Sequence, residues 1–337
     1  MSKSKADSKS VSAAIFYILT IILFPVSLLG YVITVIGMYL SGRGSGVSKT
    51  AQGLLSARYL QHLLGVRQDD ASYRLMKIMP GTPYPGLILA FGPLLLAHRL
   101  TGFVPRTFRY PFEGEMTLQI EPAARVWFFD NVVDRYLASI RQFVILGAGF
   151  DTRACRLPKR NEVRCFEVDA PRTQAIKRQL LEKAGIDARE VAFVSADFEK
   201  DDWFARLVES GFDPGKPTLF LWEGVIIYLN REAVESTLRK IAGTARGSIL
   251  AFDYLTKETL ESRSLYMRYA RAASNAAGES FKFGIDSTPP LHRRMAEFLN
   301  SCGLSLGDHD TLGKETDSKR AWGGFATALV GSTVQTG

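Results

Sequence analysis

Two glycines and a recurring set of acids are the residues best placed to do chemistry. Gly147 and Gly149 close the apolar run FVILGAG, and later runs end in FEVDAP (Glu167, Asp169), SADF (Asp197, Phe198) and LWEG (Glu223). A glycine lets the backbone turn sharply and approach a ligand where a Cβ would clash. A carboxylate about 20 residues beyond such a turn accepts hydrogen bonds from ribose hydroxyls. Asp197 is placed to accept from an adenine amine, with Phe198 flanking the ring, and Glu223 tops the fourth run. The pattern points to an adenosine-bearing cofactor and leaves NAD, a nucleoside triphosphate and S-adenosylmethionine open. Pyrophosphate cofactors favour Gly-x-Gly-x-x-Gly with a helix N-terminus open to phosphate. Here the third glycine position is Thr152, Asp151 puts an anion beside it, and no Walker A lysine motif occurs. A sulfonium cofactor without phosphate suits an acidic elbow better.

The acid–base inventory is sparse. Of the four histidines, none falls at a strand tip; His292 lies in a helical pattern as a solvated residue, and His309 in a loop or edge strand. Methyl transfer from a sulfonium is an in-line displacement that needs alignment and desolvation. A carboxylate acceptor is already ionised, whereas an alcohol or phenol benefits from a general base. The lack of a base therefore leans towards carboxyl methylation. Tyr228, in WEGVIIYL, is either an orienting hydroxyl or an aromatic cap on the core. Arg263, Arg268 and Arg271 form either a solvated face or an anion-binding one, on a helical insertion that reads as a substrate lid. Cys155, Cys165 and Cys302 leave one thiol unpaired in any intramolecular scheme, and no clustered Cys/His spacing occurs. That reads as a reducing compartment and no metal site.

The elements that must carry these residues alternate. QFVILG (142–147), VRCFEV (163–168), VAFVSA (191–196), TLFLWEG (218–224) and SILAFDYL (248–255) are strand candidates, with helices predicted over 171–184 and 231–242. Apolar strands alternating with helices predict a mainly parallel sheet with helices on both faces, a Rossmann-like α/β fold. LSLGDHD and WGGFATALVGS predict a closing antiparallel pair.

Residues 14–40 contain no charge, and about 20 apolar residues suffice to cross a bilayer. They predict a transmembrane helix after a tail at 1–13, with Pro25 and Gly30 marking a kink or a hairpin. A Gly/Ser linker is expected at 41–50, and a helical, membrane-interfacial region at 51–115. Within that region Tyr84–Pro105 reads as an interfacial or re-entrant helix, with a second span or a buried helix as the alternatives. Lys3, Lys5 and Lys9 precede the run and Arg43, Lys49 and Arg58 follow it, so charge gives no orientation. The formal charge of +8 favours anionic partners, lipid headgroups among them. Nothing resembles an RNA-recognition motif, and no nucleic-acid partner is expected.

VILGAGFDTRACRL, FEVDAP, SADF, LWEGVIIYL and FKFGID, in this order and spacing, resemble the leucine carboxyl methyltransferase-like family of class I S-adenosylmethionine-dependent methyltransferases. The resemblance covers Met116 to Gly331 and implies a methyltransferase domain at 116–331. It implies Gly147 and Gly149 beside the methionyl part of S-adenosylmethionine. Asp169 would bind the ribose with Glu167 in support, Asp197 and Phe198 would hold the adenine, and Glu223 would face the methionyl amine. Arg125, in AARV, would meet the methionyl carboxylate. Trp127 and Asn131 depart from the family's Arg and acid at those places. The expectation is a membrane-anchored methyltransferase, its body on the cytosolic side, acting on a carboxyl or hydroxyl oxygen of a lipophilic small molecule. Its rivals are a protein C-terminal carboxyl methyltransferase and a catalytically silent cofactor-binding scaffold.

Overall fold

In a computed structural model, residues 2–42, 49–117, 120–157, 162–276, 278–316 and 319–331 are described. Five helices come first: α1 (Ser2–Ile22), α2 (Phe24–Gly42), α3 (Lys49–Leu63), α4 (Asp70–Lys77) and α5 (Tyr84–Thr101). The alternating body follows with α6 (Glu121–Tyr136), β1 (Gln142–Leu146), α7 (Arg153–Arg156), β2 (Arg164–Asp169), α8 (Pro171–Lys183), β3 (Val191–Ser195), α9 (Trp203–Glu209), β4 (Thr218–Trp222) and α10 (Arg231–Ala242). β5 (Ile249–Leu255), α11 (Lys257–Glu261), α12 (Leu265–Ala276), α13 (Leu291–Ser301), β6 (Ser305–Leu312) and β7 (Gly323–Leu329) complete it.

The seven strands run in the order β3-β2-β1-β4-β5-β7-β6. The first five are mutually parallel, and β7 enters antiparallel between β5 and β6, the closing pair that the sequence predicts. Strand side chains alternate between two cores. Val144, Leu146, Phe166, Phe220 and Trp222 face one side; Phe143, Ile145, Leu219 and Leu221 face the other. This is why the strands read as unbroken apolar runs. Helices dock by amphipathic stripes with polar starts. In α10, Asn230 accepts from the Ala233 N–H at 2.8 Å, and Val234, Leu238 and Ile241 are buried. Each such side chain is worth roughly 1.5–3 kcal/mol in removal from water.

His309 sits on the edge strand β6, where its Nε2 meets the Tyr254 hydroxyl at 2.6 Å and its Nδ1 meets His292 at 3.3 Å. Burial, then the His292 neighbour, lowers its pKa to about 4. The unfolded imidazole takes up a proton near pH 6.5 that the folded one refuses until about 4. Stability therefore falls as the pH drops through that window. His309→Gln is expected to show a smaller fall in melting temperature across it than wild type; an equal fall would take His309 out of the acid response.

The N-terminal helices depart from the reading of the sequence. The predicted single span at 14–40 is two helices broken at Leu23 and bent by 58°, and among the described residues no single helix is long and apolar enough to cross a membrane. Pro25, one residue into α2, cannot continue the backbone ladder of α1. The 1–13 tail is helical from Ser2 onward. Of the 41–50 linker, 43–48 lie outside the described residues, and its flanks belong to α2 and α3. Tyr84–Pro105 gives one helix, α5, lying along α2 with backbones in close approach. A Cβ on Gly30 would lie 2.1 Å from the Ala90 nitrogen, and one on Gly86 2.7 Å from the Thr34 hydroxyl. The 51–115 region is helical, as expected, and packs on the body. Leu55, Tyr59, Leu75 and Leu87 share a third core with Phe150 of the glycine elbow and Leu180 and Leu181 of α8.

Candidate cofactor site

Sheet order reverses at β1, whose neighbours β2 and β4 lie on opposite sides. In such sheets a crevice opens outside the carboxyl ends of the strands at that point. A cavity of about 370 Å³ lies there, within the range of small-molecule sites. The predicted residues Gly147, Gly149, Asp169, Asp197, Phe198, Glu223 and Tyr228 all line it.

The elbow is held from both sides. Gly147 and Gly149 have φ of +66° and +45°, a conformation that side chains resist. A Cβ on Gly147 would come within 2.3 Å of Val225, and one on Gly149 within 2.8 Å of the Ala51 methyl. The glycines thus make room for the loop after β4 and for α3 as well as for a ligand. Asp169 accepts from the Gly149 N–H at 2.5 Å and the Ala170 N–H at 2.6 Å, which fixes its carboxylate at the tip of β2. Burial raises its pKa, and these two N–H groups oppose that. Tyr228 ends a 3-10 turn (Ile226–Tyr228), its ring 5.7 Å from that of Phe281.

Behind the elbow, four arginines interleave with four carboxylates. Arg153 reaches Asp151 at 2.6 Å, Glu223 at 2.5 Å and Asp130 at 2.7 Å. Arg58, from α3, reaches Glu223 at 2.7 Å and Asp151 at 3.2 Å. Arg67 joins Asp130 to Asp69, and Arg156 stands 3.4 Å from Asp69. The network is nearly dry: Arg58, Arg153, Asp151 and Glu223 are each 6% exposed or less. Burial pushes the Asp151 carboxyl up, but Arg153 and Arg58 outweigh it and hold it well below the usual range. Asp151 is therefore neutralised by arginine and brings no free anion to the elbow, contrary to the reading from sequence. Glu223 spends Oε2 on both arginines, while its buried Oε1 has no protein partner.

Two predicted residues lie outside the cavity lining. Arg125 pairs with Glu121 and with Asp253 at 3.0 Å, behind Gly224, and so serves the tip of β5. Glu167 points away into a buried pair with Lys177 at 2.6 Å. Burial, opposed by Lys177, raises its pKa to about 7. Arg271 donates to the Leu260 and Ser262 carbonyls and so braces its own loop. Conversely, Ala51, Leu54 and Arg58 of α3 line the cavity, as does Glu279 after α12. Arg58 reads from sequence as a charge flanking the apolar run, yet it is 2% exposed; its acids lie 93 and 165 residues away, so local pattern carries no trace of them. Arg153 had a signal, as the arginine of the GAGFDTR block.

The residues fit an adenosyl cofactor with an amino group. Asp169 offers a fixed acceptor for ribose, Phe198 a ring face, and the unpartnered Glu223 Oε1 an acceptor at the mouth of β4. No histidine lines the cavity, and no metal-binding cluster of His, Cys, Asp and Glu occurs among the described residues.

The leucine carboxyl methyltransferase family model matches residues 112–242, from just before α6 to the end of α10. A "Putative S-adenosyl-L-methionine-dependent methyltransferase" of Mycolicibacterium gilvum is 35% identical over 52% of this chain and 78% of its own length. One of the same description in Mycobacteroides abscessus is 32% identical over 69% and 75%. One in a Parafrankia species is 34% identical over 58% of this chain, and the chain spans only 59% of that relative's length. A solved DUF574 family protein from Streptomyces avermitilis aligns at 18% identity, with a TM-score of 0.44, over 63% of this chain and 85% of its own. The glycine elbow, the strand-tip acids and the matched relatives agree, and the chain belongs to the leucine carboxyl methyltransferase family of S-adenosylmethionine-dependent methyltransferases.

Proposed function

We propose that this methyltransferase works at a membrane and methylates a carboxyl or hydroxyl oxygen of a lipophilic small molecule, with its body on the cytosolic side where the cofactor is available. The observation that carries the lean towards a carboxyl acceptor is that no histidine lines the cavity, and His292 and His309 pair with each other at the far edge of the sheet. An ionised carboxylate needs none.

S-adenosylmethionine, when bound, supplies an electrophilic methyl group on a sulfonium. The chain's own residues hold and align. Asp169, locked by two N–H donors, would take the ribose hydroxyls, and Glu223 Oε1 would take the methionyl ammonium. Asp197 and Phe198 would bracket the adenine, and Tyr228 would orient the acceptor at the mouth. The walls exclude water from the transfer site, which favours the displacement.

Membrane attachment is supported by the outer surfaces of the N-terminal helices. Ile18, Ile21, Ile22, Leu29, Ile36 and Leu40 are each more than half exposed, and apolar residues so exposed mark sites of interaction with a membrane or a partner. The glycine-mediated packing of α2 on α5 is the kind that brings helices together in lipid. The bent pair α1–α2 enters as a broken span or a re-entrant loop.

The family match favours one other acceptor, a protein C-terminal carboxylate. Full-length protein, methyl-labelled S-adenosylmethionine and separate lipid, metabolite and protein extracts decide between them. Alkali-labile label in the lipid fraction is the expected result. Label in a polypeptide would replace the first reading with the second, and cofactor binding without transfer to any fraction would make the chain a silent scaffold.

A further inference from the structure

A second cavity, of about 470 Å³, lies between α2, α3 and α5, away from the cofactor. Leu28 and Tyr31 wall it from α2, Gly53 from α3, Leu87 and Phe91 from α5, and Met76 closes one end. Protein interiors are packed with few voids larger than a water molecule. Ordered water needs several polar partners, and here most of the polar side chains on the walls are engaged: Gln52 donates to Thr82, Ser56 donates to the Gln52 carbonyl at 3.0 Å, and Thr34 donates to the Gly30 carbonyl at 2.9 Å. Apart from Ser27 and Tyr31, the rest of the lining is mainly hydrocarbon.

Gly53 lines the space from α3. It lies within α3, where glycine weakens a helix. A Cβ built on it would meet nothing within 4 Å. Gly30, Gly37 and Gly86 differ, since each would collide with the facing helix. Packing explains those three; Gly53, like Gly92 of α5, has open space where a Cβ would stand, so a side chain placed at 53 would enter the cavity.

We propose that this cavity binds one acyl chain of a membrane lipid. The inference rests on the membrane reading above and adds a lipid site to it. A bilayer lipid is favoured because α2 and α5, which wall the cavity, also carry exposed apolar residues outside it: Leu29, Ile36, Ile88 and Leu96. The ligand comes from the medium those faces contact. α3 is the shared wall, with Gly53 and Ser56 on the lipid cavity and Ala51, Leu54 and Arg58 on the cofactor cavity.

Gly53→Leu tests this by filling the space from a position where the backbone already tolerates a side chain. Full-length protein is taken from phosphatidylcholine vesicles into detergent, washed, extracted, and its retained molecules are counted by mass spectrometry. Wild type is expected to keep about one phospholipid per chain, and Gly53→Leu to keep at least about tenfold less. Direct titration with cis-parinaric acid, a fluorescent fatty acid, should weaken by the same factor. Ser56→Leu, on the same wall, repeats the test should the first variant fold poorly. Equal retention in wild type and both folded variants would overturn the proposal. So would a retained amphiphile that is not a phospholipid and takes up label from S-adenosylmethionine, for the occupant would then be the acceptor's tail. S-adenosylhomocysteine affinity by calorimetry and pelleting after a carbonate wash, both expected unchanged in Gly53→Leu, report separately on the methyltransferase and membrane readings.

Discussion

Arg153→Met is expected to unfold the region around the cofactor elbow or to leave a protein that melts far below wild type. The substitution keeps most of the side chain's length and removes the cation that Asp130, Asp151 and Glu223 share within 2.5–2.7 Å. Breaking a buried ion pair from one side costs about 3–5 kcal/mol, because the partner charge stays behind. Native stability is typically about 5–15 kcal/mol, so this is a large fraction of it. Arg153→Lys should lie between, since it restores charge but not the planar fork that contacts several carboxylates. The pH response has a definite sign. Burial pushes the Asp130 and Asp151 carboxyls up, but Arg153, with Arg67 or Arg58, holds both well below the usual range. Their contribution is present at neutral pH and is lost as the pH falls below about 4. Thermal melts followed by circular dichroism at pH 7 decide the matter. A melting temperature within about 2 °C of wild type would mean that the network is not what holds the elbow.

Asp169→Ala should raise the dissociation constant for S-adenosylhomocysteine by roughly tenfold to a hundredfold, the equivalent of about 1.5–3 kcal/mol for a charged hydrogen-bonding partner. Two losses add. The ribose hydroxyls lose their acceptor, and the Gly149 and Ala170 N–H groups lose the carboxylate that orders the elbow. Asp169→Asn retains an acceptor oxygen and should recover part of the affinity. Calorimetry on folded protein supplies the number. Unchanged affinity in Asp169→Ala would remove this residue from the cofactor site and shift the search for a ribose partner to Glu279, which also lines the cavity.

What was legible in the sequence follows the range of the forces involved. β1 to β5 were readable because a strand buried on both faces is written as a continuous apolar run, and Gly147, Gly149, Asp169, Asp197 and Glu223 because strand tips follow those runs directly. Arg125 and Glu167 lie outside the cavity lining for a reason of side-chain direction. Each lies near the right strand end, but Arg125 turns to Asp253 and Glu167 to Lys177, pairings that spacing alone does not encode. The helical character of 51–115 was legible, but its packing against the body was not, because composition does not show which partner an apolar face meets. Whether Leu55 and Tyr59 face lipid or Phe150 depends on tertiary packing. Uncharged length likewise suggested a spanning helix at 14–40; Pro25 and Gly30 signalled a kink or a hairpin, and the break falls at Leu23, two residues before Pro25.

Arg58 also sets an order of events during synthesis. It is made 93 residues before Asp151 and 165 before Glu223. At roughly 5–20 residues per second, the cation waits on the order of ten seconds for its second acid. Until then α3 has nearer company in α4 and α5, through Leu55, Tyr59, Leu75 and Leu87. Contacts so distant in sequence close late, after local ones have formed. The nascent chain therefore parks α3 on its helical neighbours first, and the cofactor pocket is completed only once β4 has left the ribosome.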